Sequence, residues 1–212
     1  MLPPSKDSAD PVKRSLLLIR HGQIAANARG RWHGSTDSPL TVNGRRQADR
    51  LAERIRRHWG DIAAIYSSPM IRCLHTAQAV GAALGQHVIL EDDLREYGIG
   101  ELEDTTFNAL QTEHDFFRRI REDRDYAPSG GDSVNVVAGR IVPALQRIYA
   151  TDDSLRPIVV VSHGAALGIA LATLLDADAN RWTNYHVDNC SVTELLLEPE
   201  PLIATFNNTE HL

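Results

Sequence analysis

The chain has 212 residues, 42% apolar and 24% charged, which excludes a disordered chain and leaves room for one or two domains. A formal net charge of −6 speaks against a nucleic-acid partner, and two cysteines are too few for a disulfide framework or a cysteine zinc cluster. No apolar run reaches the ~20 residues of a membrane helix, and the N-terminus lacks an apolar stretch of signal-peptide kind, so the expectation is a cytoplasmic protein with no membrane partner. Residues 1–13 carry prolines and charges without periodicity and are expected to form a mobile tail, leaving 14–212 as one domain. Ser15-Leu16-Leu17-Leu18-Ile19 is a continuous apolar run, which reads as a strand buried on both faces. Arg20-His21-Gly22 ends it, and a glycine-bearing loop runs to Pro39. Thr41 is placed to cap a helix in which Ala48, Leu51, Ala52 and Ile55 recur at helical spacing, with Gly60 closing it. The other face carries Arg45, Arg46, Arg50, Arg54 and Arg57, the pattern of a solvated surface. A strand is expected from Ile62 to Ser67, a helix from Pro69 to about Leu84 with Pro69 near its first turn, and a short strand from His87 to Leu90.

Residues 91–132 are irregular and charged, and read as an inserted lid with one helix around Phe107 to Ile120 and a turn at Pro128-Ser129-Gly130-Gly131. Val134, Val137, Ala138, Ile141, Leu145 and Ile148 mark an amphipathic helix that Pro143 is expected to kink. Ile158-Val159-Val160-Val161 is a second fully apolar strand, ended by Ser162-His163-Gly164 and followed by an Ala/Leu-rich helix to about Leu175. Trp182, Tyr185 and His186 read as packing residues, and Val192 to Leu197 and Leu202 to Phe206 as two last strands. Alternating strands and helices predict an α/β fold with a mostly parallel central sheet covered by helices on both faces. Ligands in such folds bind outside the C-terminal ends of the strands. Two histidines, His21 and His163, stand at two such ends, each followed by a glycine.

Arg20, His21, Arg72, Glu96 and His163 form one chemically coherent set. A phosphomonoester dianion needs positive charge and donors around its oxygens, and Arg20 and Arg72 supply both in planar form. A neutral imidazole can attack phosphorus, and a carboxylic acid such as Glu96 can protonate the leaving alkoxide. Gly22 and Gly164 would let the chain bring backbone N–H groups close to a ligand. Spacing alone does not assemble this set, and a single arginine, glutamate or histidine is weak evidence.

The motifs containing these residues carry further weight. Leu17-Leu18-Ile19-Arg20-His21-Gly22 resembles the signature of the histidine phosphatase superfamily, the phosphoglycerate mutase-like branch. Asn27-Ala28-Arg29-Gly30-Arg31, Asp37-Ser38-Pro39-Leu40-Thr41 with Gly44 and Gln47-Ala48, and Ser67-Ser68-Pro69 with Arg72 and Thr76-Ala77 resemble its following motifs. So do Leu94, Glu96, Gly100 and Glu103, then Pro128, Gly130-Gly131, Ser133 and Arg140, and then Val160-Val161-Ser162-His163-Gly164. The ending Asn207-Asn208-Thr209-Glu210-His211-Leu212 is similar to one found among its phosphatases. The likeness runs over roughly residues 16–211, and an ordered series of this kind is far more specific than a bare Arg-His-Gly.

The resemblance implies that His21 becomes phosphohistidine, that Arg20, Arg72 and His163 hold the phosphoryl group with help from Asn27, and that Glu96 handles the proton. It implies no metal and no organic cofactor, and His58, His75, His87, His114 and His186 show no metal-ligand spacing. The expected partner is a small phosphorylated metabolite, and the oligomeric state is left open between monomer and homodimer. A hydrolase is favoured over a mutase, because the stretch between Glu96 and Pro128 is short and Gly-Gly-Asp-Ser looks more like the phosphatases. A catalytically silent domain that binds phosphorylated ligands is the third alternative. The chain departs from the family pattern at Gln23, Ile24 and Ala26, at Asp104 where glycine is usual, and at Asp132 where glutamate is usual. His33 stands where relatives often carry Gln or Thr, and is expected to reach the substrate at the pocket mouth.

Overall fold

The computed structural model describes residues 14–151 and 154–212, so the expected tail at 1–13 lies outside the described residues. The strands are β1 (Leu16–Arg20), β2 (Ala64–Ser67), β3 (Val88–Leu90), β4 (Ile158–Ser162), β5 (Val192–Leu196) and β6 (Leu202–Asn208). They form one sheet in the order β3-β2-β4-β1-β5-β6. β3, β2, β4 and β1 pair in parallel, whereas β5 runs antiparallel to both β1 and β6. The helices are α1 (Ala25–Ala28), α2 (Val42–His58), α3 (Ile71–Leu84), α4 (Phe107–Thr112), α5 (Phe116–Glu122), α6 (Val134–Tyr149) and α7 (Gly164–Asp176). Among the described residues no helix is long and apolar enough to cross a membrane.

The continuous apolar runs of β1 and β4 follow from burial on both faces. Leu17, Ile19, Val159 and Val161 pack against Leu51 and Ile55 of α2 and Ala77 and Val80 of α3. The alternate residues Leu16, Leu18, Ile158 and Val160 face Val137 and Ile141 of α6 and Leu167 and Leu171 of α7. Each such Val, Leu or Ile side chain contributes about 1.5–3 kcal/mol by leaving water. The stretch 91–132 belongs to the second core, with Leu94, Tyr97, Ile99, Leu110 and Phe116 all buried there. Trp32 ties it to the loop after β1, with its ring centroid 5.7 Å from Phe107, 5.9 Å from Phe116 and 6.1 Å from Trp182.

Several expected boundaries move for identifiable reasons. α3 begins at Ile71 with Met70 as N-cap, so Pro69 precedes the helix rather than lying in its first turn. The single helix expected over 107–120 is two, because Asp115 adopts a left-handed backbone (φ 54°) that a continuous helix does not allow. α6 remains one helical run through Pro143. α1 and a 3-10 segment at Ala179–Asn184 were not anticipated, being too short to show a period. The Thr41 cap is present, its side chain accepting from Gly44 N.

The adjacency of β1 and β4 positions the site. Arg20 pairs with Ser162, and the His21 amide donates to the Ser162 carbonyl at 3.0 Å, so His21 and His163 emerge side by side. The loop beginning at His21 presses on the start of α2. A Cβ at Gly44 would lie 2.1 Å from the Gln23 carbonyl oxygen, and one at Gly22 would lie 2.5 Å from the Gly44 oxygen. Backbone meets backbone there, so neither side can yield by rotating a side chain. Gly44→Ala should therefore destabilise the fold by about 2–3 kcal/mol, although alanine is ordinarily favoured over glycine inside a helix by about 1 kcal/mol. The check is the denaturant midpoint, and an unchanged or raised midpoint would show the approach to be looser.

Candidate active site

His21 follows the last residue of β1 and is only 3% exposed. Its Nδ1 lies 2.8 Å from its neighbour's carbonyl, Gly22 O. A carbonyl only accepts, so Nδ1 carries the proton and Nε2 holds a free lone pair. Among the described residues Nε2 has no hydrogen-bond partner. Asn189 fixes the backbone from behind, its amide donating to His21 O at 2.9 Å and to Asn27 Oδ1 at 3.2 Å. Ile24 N also donates to Asn27 Oδ1. With its oxygen so used, Asn27 has its NH2 group to offer the pocket that it lines.

Arg20 donates from one terminal nitrogen to Val187 O at 2.7 Å, while its buried Nε has no partner. Arg72 and His163 are fully buried and are not among the residues that line the pocket. Arg72 Nε donates to His163 Nδ1 at 3.1 Å, so His163 must carry its proton on Nε2, which donates to Ser68 Oγ at 2.8 Å. The terminal nitrogens of Arg72 donate to the carbonyls of Thr36, Gly34 and His33 at 2.8–3.1 Å. Asp37 Oδ1 lies 3.5 Å from the same guanidinium. The two imidazole rings meet edge to face with centroids 5.3 Å apart. Cys73 Sγ fills the space beside His163 and donates to Ser162 O at 3.3 Å.

Glu96 is set on the N-terminus of α7. Its oxygens accept from Ala166 N at 2.8 Å, Tyr97 N at 2.9 Å and Ala165 N at 3.2 Å. Arg140 holds the segment from the other side by donating to the carbonyls of Asp93, Arg95 and Glu96. Glu103 does the complementary work. Its carboxylate accepts from the amides of Gly34, Ser35 and Thr36 at 2.9–3.1 Å, the loop whose carbonyls Arg72 binds. That loop is thus clamped between a buried cation and an anion.

The pocket encloses about 200 Å³, and Arg20, His21, Asn27, Glu96 and Gly164 are among the residues that line it. A Cβ at Gly164 would lie 3.3 Å from Arg20 Nε, a tight contact that the Arg20 side chain would have to relieve by a few tenths of an ångström. Gly22 is not brought to the wall in this way: its amide donates to Thr76 Oγ1, and its smallness serves the approach to Gly44. His33 lines the pocket, with Nδ1 2.9 Å from Ser38 Oγ and Nε2 3.0 Å from Asp104 Oδ1. Trp182, Tyr185 and His186 line it too, which corrects their reading as packing residues alone. Arg31 and Thr183 line it as well, and Asn189 is joined to it through His21 and Asn27. Nothing in the spacing of 182–189 marks it as a wall; the signal was its density of aromatic and hydrogen-bonding side chains in a loop.

Burial drives both histidines well below the ordinary value of 6.5, and the positive charge of Arg72 adds to it in each. Arg20 contributes further to His21, and its own value is lowered by burial against the opposing charge of Glu96. Burial likewise raises the Cys73 thiol, which stays neutral. These imidazoles are therefore uncharged at a pH where a solvated histidine already binds a proton.

The unfolded chain takes up those protons first, so acid favours unfolding. The stability held above about pH 6.5 is lost as the pH falls toward the lowered folded values, by about 1.4 kcal/mol per pH unit for each such histidine. His21→Gln removes one of the two, and its stability should decline less steeply than that of the parent between about pH 6.5 and 5. Denaturant midpoints across that range supply the check, and equal slopes would mean that His21 titrates alike in the folded and unfolded chains.

A family model described as histidine phosphatase superfamily, branch 1, matches residues 16–209. A probable phosphoglycerate mutase GpmB from Proteus mirabilis is 35% identical over 191 residues, covering 88% of this chain and 86% of the relative. Among solved structures, a phosphoserine phosphatase from Entamoeba histolytica in complex with 3-phosphoglyceric acid aligns with a TM-score of 0.83 and 31% identity, over 94% of this chain and 99% of that one. A mycobacterial glucosyl-3-phosphoglycerate phosphatase complexed with VO3 aligns with a TM-score of 0.82 and 29% identity, over 92% of this chain and 100% of that one. The ordered motifs, the sheet that sets His21 beside His163 and these matches agree, and the chain belongs to the histidine phosphatase superfamily, branch 1.

Proposed function

We propose that the protein is a phosphomonoesterase that hydrolyses a small phosphorylated metabolite through a phosphohistidine on His21, with no metal or organic cofactor. The observation that carries this reading is the pairing of a buried neutral imidazole, Nε2 free, with the unpartnered buried Nε of Arg20 beside it in one pocket. A nucleophile and an anion donor, each lacking a protein partner, are what a phosphoryl group would complete.

In this reading His21 Nε2 donates its lone pair to phosphorus, and the bond from phosphorus to the leaving oxygen breaks. Gly22 O, which accepts from Nδ1, stabilises the positive charge that develops on the ring. Arg20 and the Asn27 amide bind the phosphoryl oxygens, while the charge of Arg72 lies behind them and His163 is held in place by Arg72 and Ser68. Glu96, carrying a proton, gives it to the leaving oxygen. It then takes a proton from water as that water attacks phosphorus, and the P–N bond breaks to restore His21. The catalytic power sought is electrostatic and positional, which suits a site whose donors are already fixed.

Mutase chemistry shares these steps as far as phosphohistidine, and the names of the curated relatives favour it. Product analysis separates the two: inorganic phosphate supports the hydrolase, whereas an isomeric ester without phosphate release would replace it. Silence over a broad panel of esters would instead favour the ligand-binding domain. His21→Ala should lower phosphate release at least about a thousandfold with the fold intact. A large surviving rate would remove His21 as nucleophile. Glu96→Gln should slow alkyl phosphates by about 10²–10⁴-fold and p-nitrophenyl phosphate far less, because a good leaving group needs no proton. Equal losses on both would take the general-acid role from Glu96.

A further inference from the structure

The wall around the reacting groups is built from Arg20, His21, Asn27 and Glu96, and the rest of the pocket has a different character. Four aromatic residues, Trp32, Phe107, Trp182 and Tyr185, contribute to it. Three side chains there can carry positive charge, Arg31, His33 and His186, and each faces a carboxylate. Arg31 donates to the Asp104 carbonyl and lies 3.6 Å from the Asp104 carboxylate. His33 Nε2 lies 3.0 Å from that same carboxylate, and His186 Nε2 lies 3.5 Å from Asp188 Oδ1. Asp104 holds this place at a cost, for its backbone is left-handed (φ 59°), a conformation that glycine adopts freely.

We propose that Asp104 sets the leaving-group specificity of this site: by neutralising Arg31 and fixing His33, it fits the pocket to an uncharged, ring-bearing alcohol and against one that carries a carboxylate. The inference rests on the phosphomonoesterase reading and narrows it. Aromatic faces favour the apolar faces of a sugar or a heteroaromatic ring. A carboxylate entering there would meet Arg31 with its charge already matched, and would be repelled by Asp104. Asp104 touches no substrate in this scheme; it is a positioning residue acting through Arg31 and His33.

The test compares kcat/KM on primary alkyl phosphates, whose leaving alcohols differ little in basicity. Glucose 6-phosphate and 2-phenylethyl phosphate are the ring-bearing members, and 3-phosphoglycerate carries the carboxylate. The wild-type chain should prefer the better ring ester over 3-phosphoglycerate by at least about tenfold, the discrimination that roughly 1.4 kcal/mol provides. Asp104→Asn keeps an acceptor for His33, tolerates the left-handed backbone and removes only the charge. It should shift the ratio toward 3-phosphoglycerate by about fivefold, through KM, and raised ionic strength should diminish the shift. Adding Arg31→Gln should cancel the gain. Asp104→Gly, which relieves the backbone, should shift the ratio in the same direction and serves as the second variant.

A wild-type preference for 3-phosphoglycerate, or a ratio unmoved in both Asp104 variants, would overturn the specificity inference while leaving His21-dependent phosphate release standing. No release from any of the three esters, or release that survives His21→Ala, would overturn the phosphomonoesterase reading and this inference with it.

Discussion

A buried guanidinium governs this site. Arg72 is fully removed from water, and a cation in that position costs several kcal/mol unless its donors are satisfied. The chain satisfies them with His163 Nδ1 and the carbonyls of His33, Gly34 and Thr36, and sets Asp37 3.5 Å away. Each bond has a second consequence. The one to His163 fixes its tautomer, those to the carbonyls fix the loop that carries His33 to the pocket, and the charge adds to the burial that keeps both imidazoles neutral. Removing Arg72 would disturb the surroundings of His21, its neighbouring histidine and the loop at once.

The same device recurs at smaller scale. Arg140 gathers the carbonyls around Glu96, and Arg20 is tied to Val187. Glu103 collects the amides that face the other way on the loop bound by Arg72. Irregular backbone cannot satisfy its own polar groups as a helix or sheet does, so these charged side chains complete it. Rigid loops result, and rigidity is what a site working by position and charge requires. The carboxylate of Glu96 on the N-terminus of α7 is held by the same logic, with three amides as its donors.

The groups proposed to react and the residues that line the rest of the pocket come from different parts of the chain. His21, Arg20, Glu96 and Gly164 sit at or near the ends of β1 and β4 and the start of α7, elements locked into the two cores. Phe107, Trp182, Thr183, Tyr185 and His186 come from α4 and the segment around the 3-10 turn at Ala179–Asn184. Such a division lets one chemistry accept different alcohols by changing loops, which is how related proteins of one superfamily diverge in substrate.

The sequence by itself determined the two buried strands, the Thr41-capped helix and the family, and singled out five candidate residues, because apolar runs, capping residues and ordered motifs are local patterns. It also flagged Asp104 and His33 as departures, without saying that they touch. Only the tertiary structure decided that Arg72 and His163 are fully buried and bonded to each other, that Gly22 serves a backbone contact with Gly44, and that Tyr185 and His186 line the pocket. It alone brought Asn189 behind His21, 168 positions away along the chain, and Asp104 beside Arg31, 73 positions away. The physical reason is that a hydrogen bond or an ion pair depends on distances of a few ångströms, whereas a motif records only residue type and order. Which donor meets which acceptor is settled when the sheet and its two layers of helices bring distant loops together.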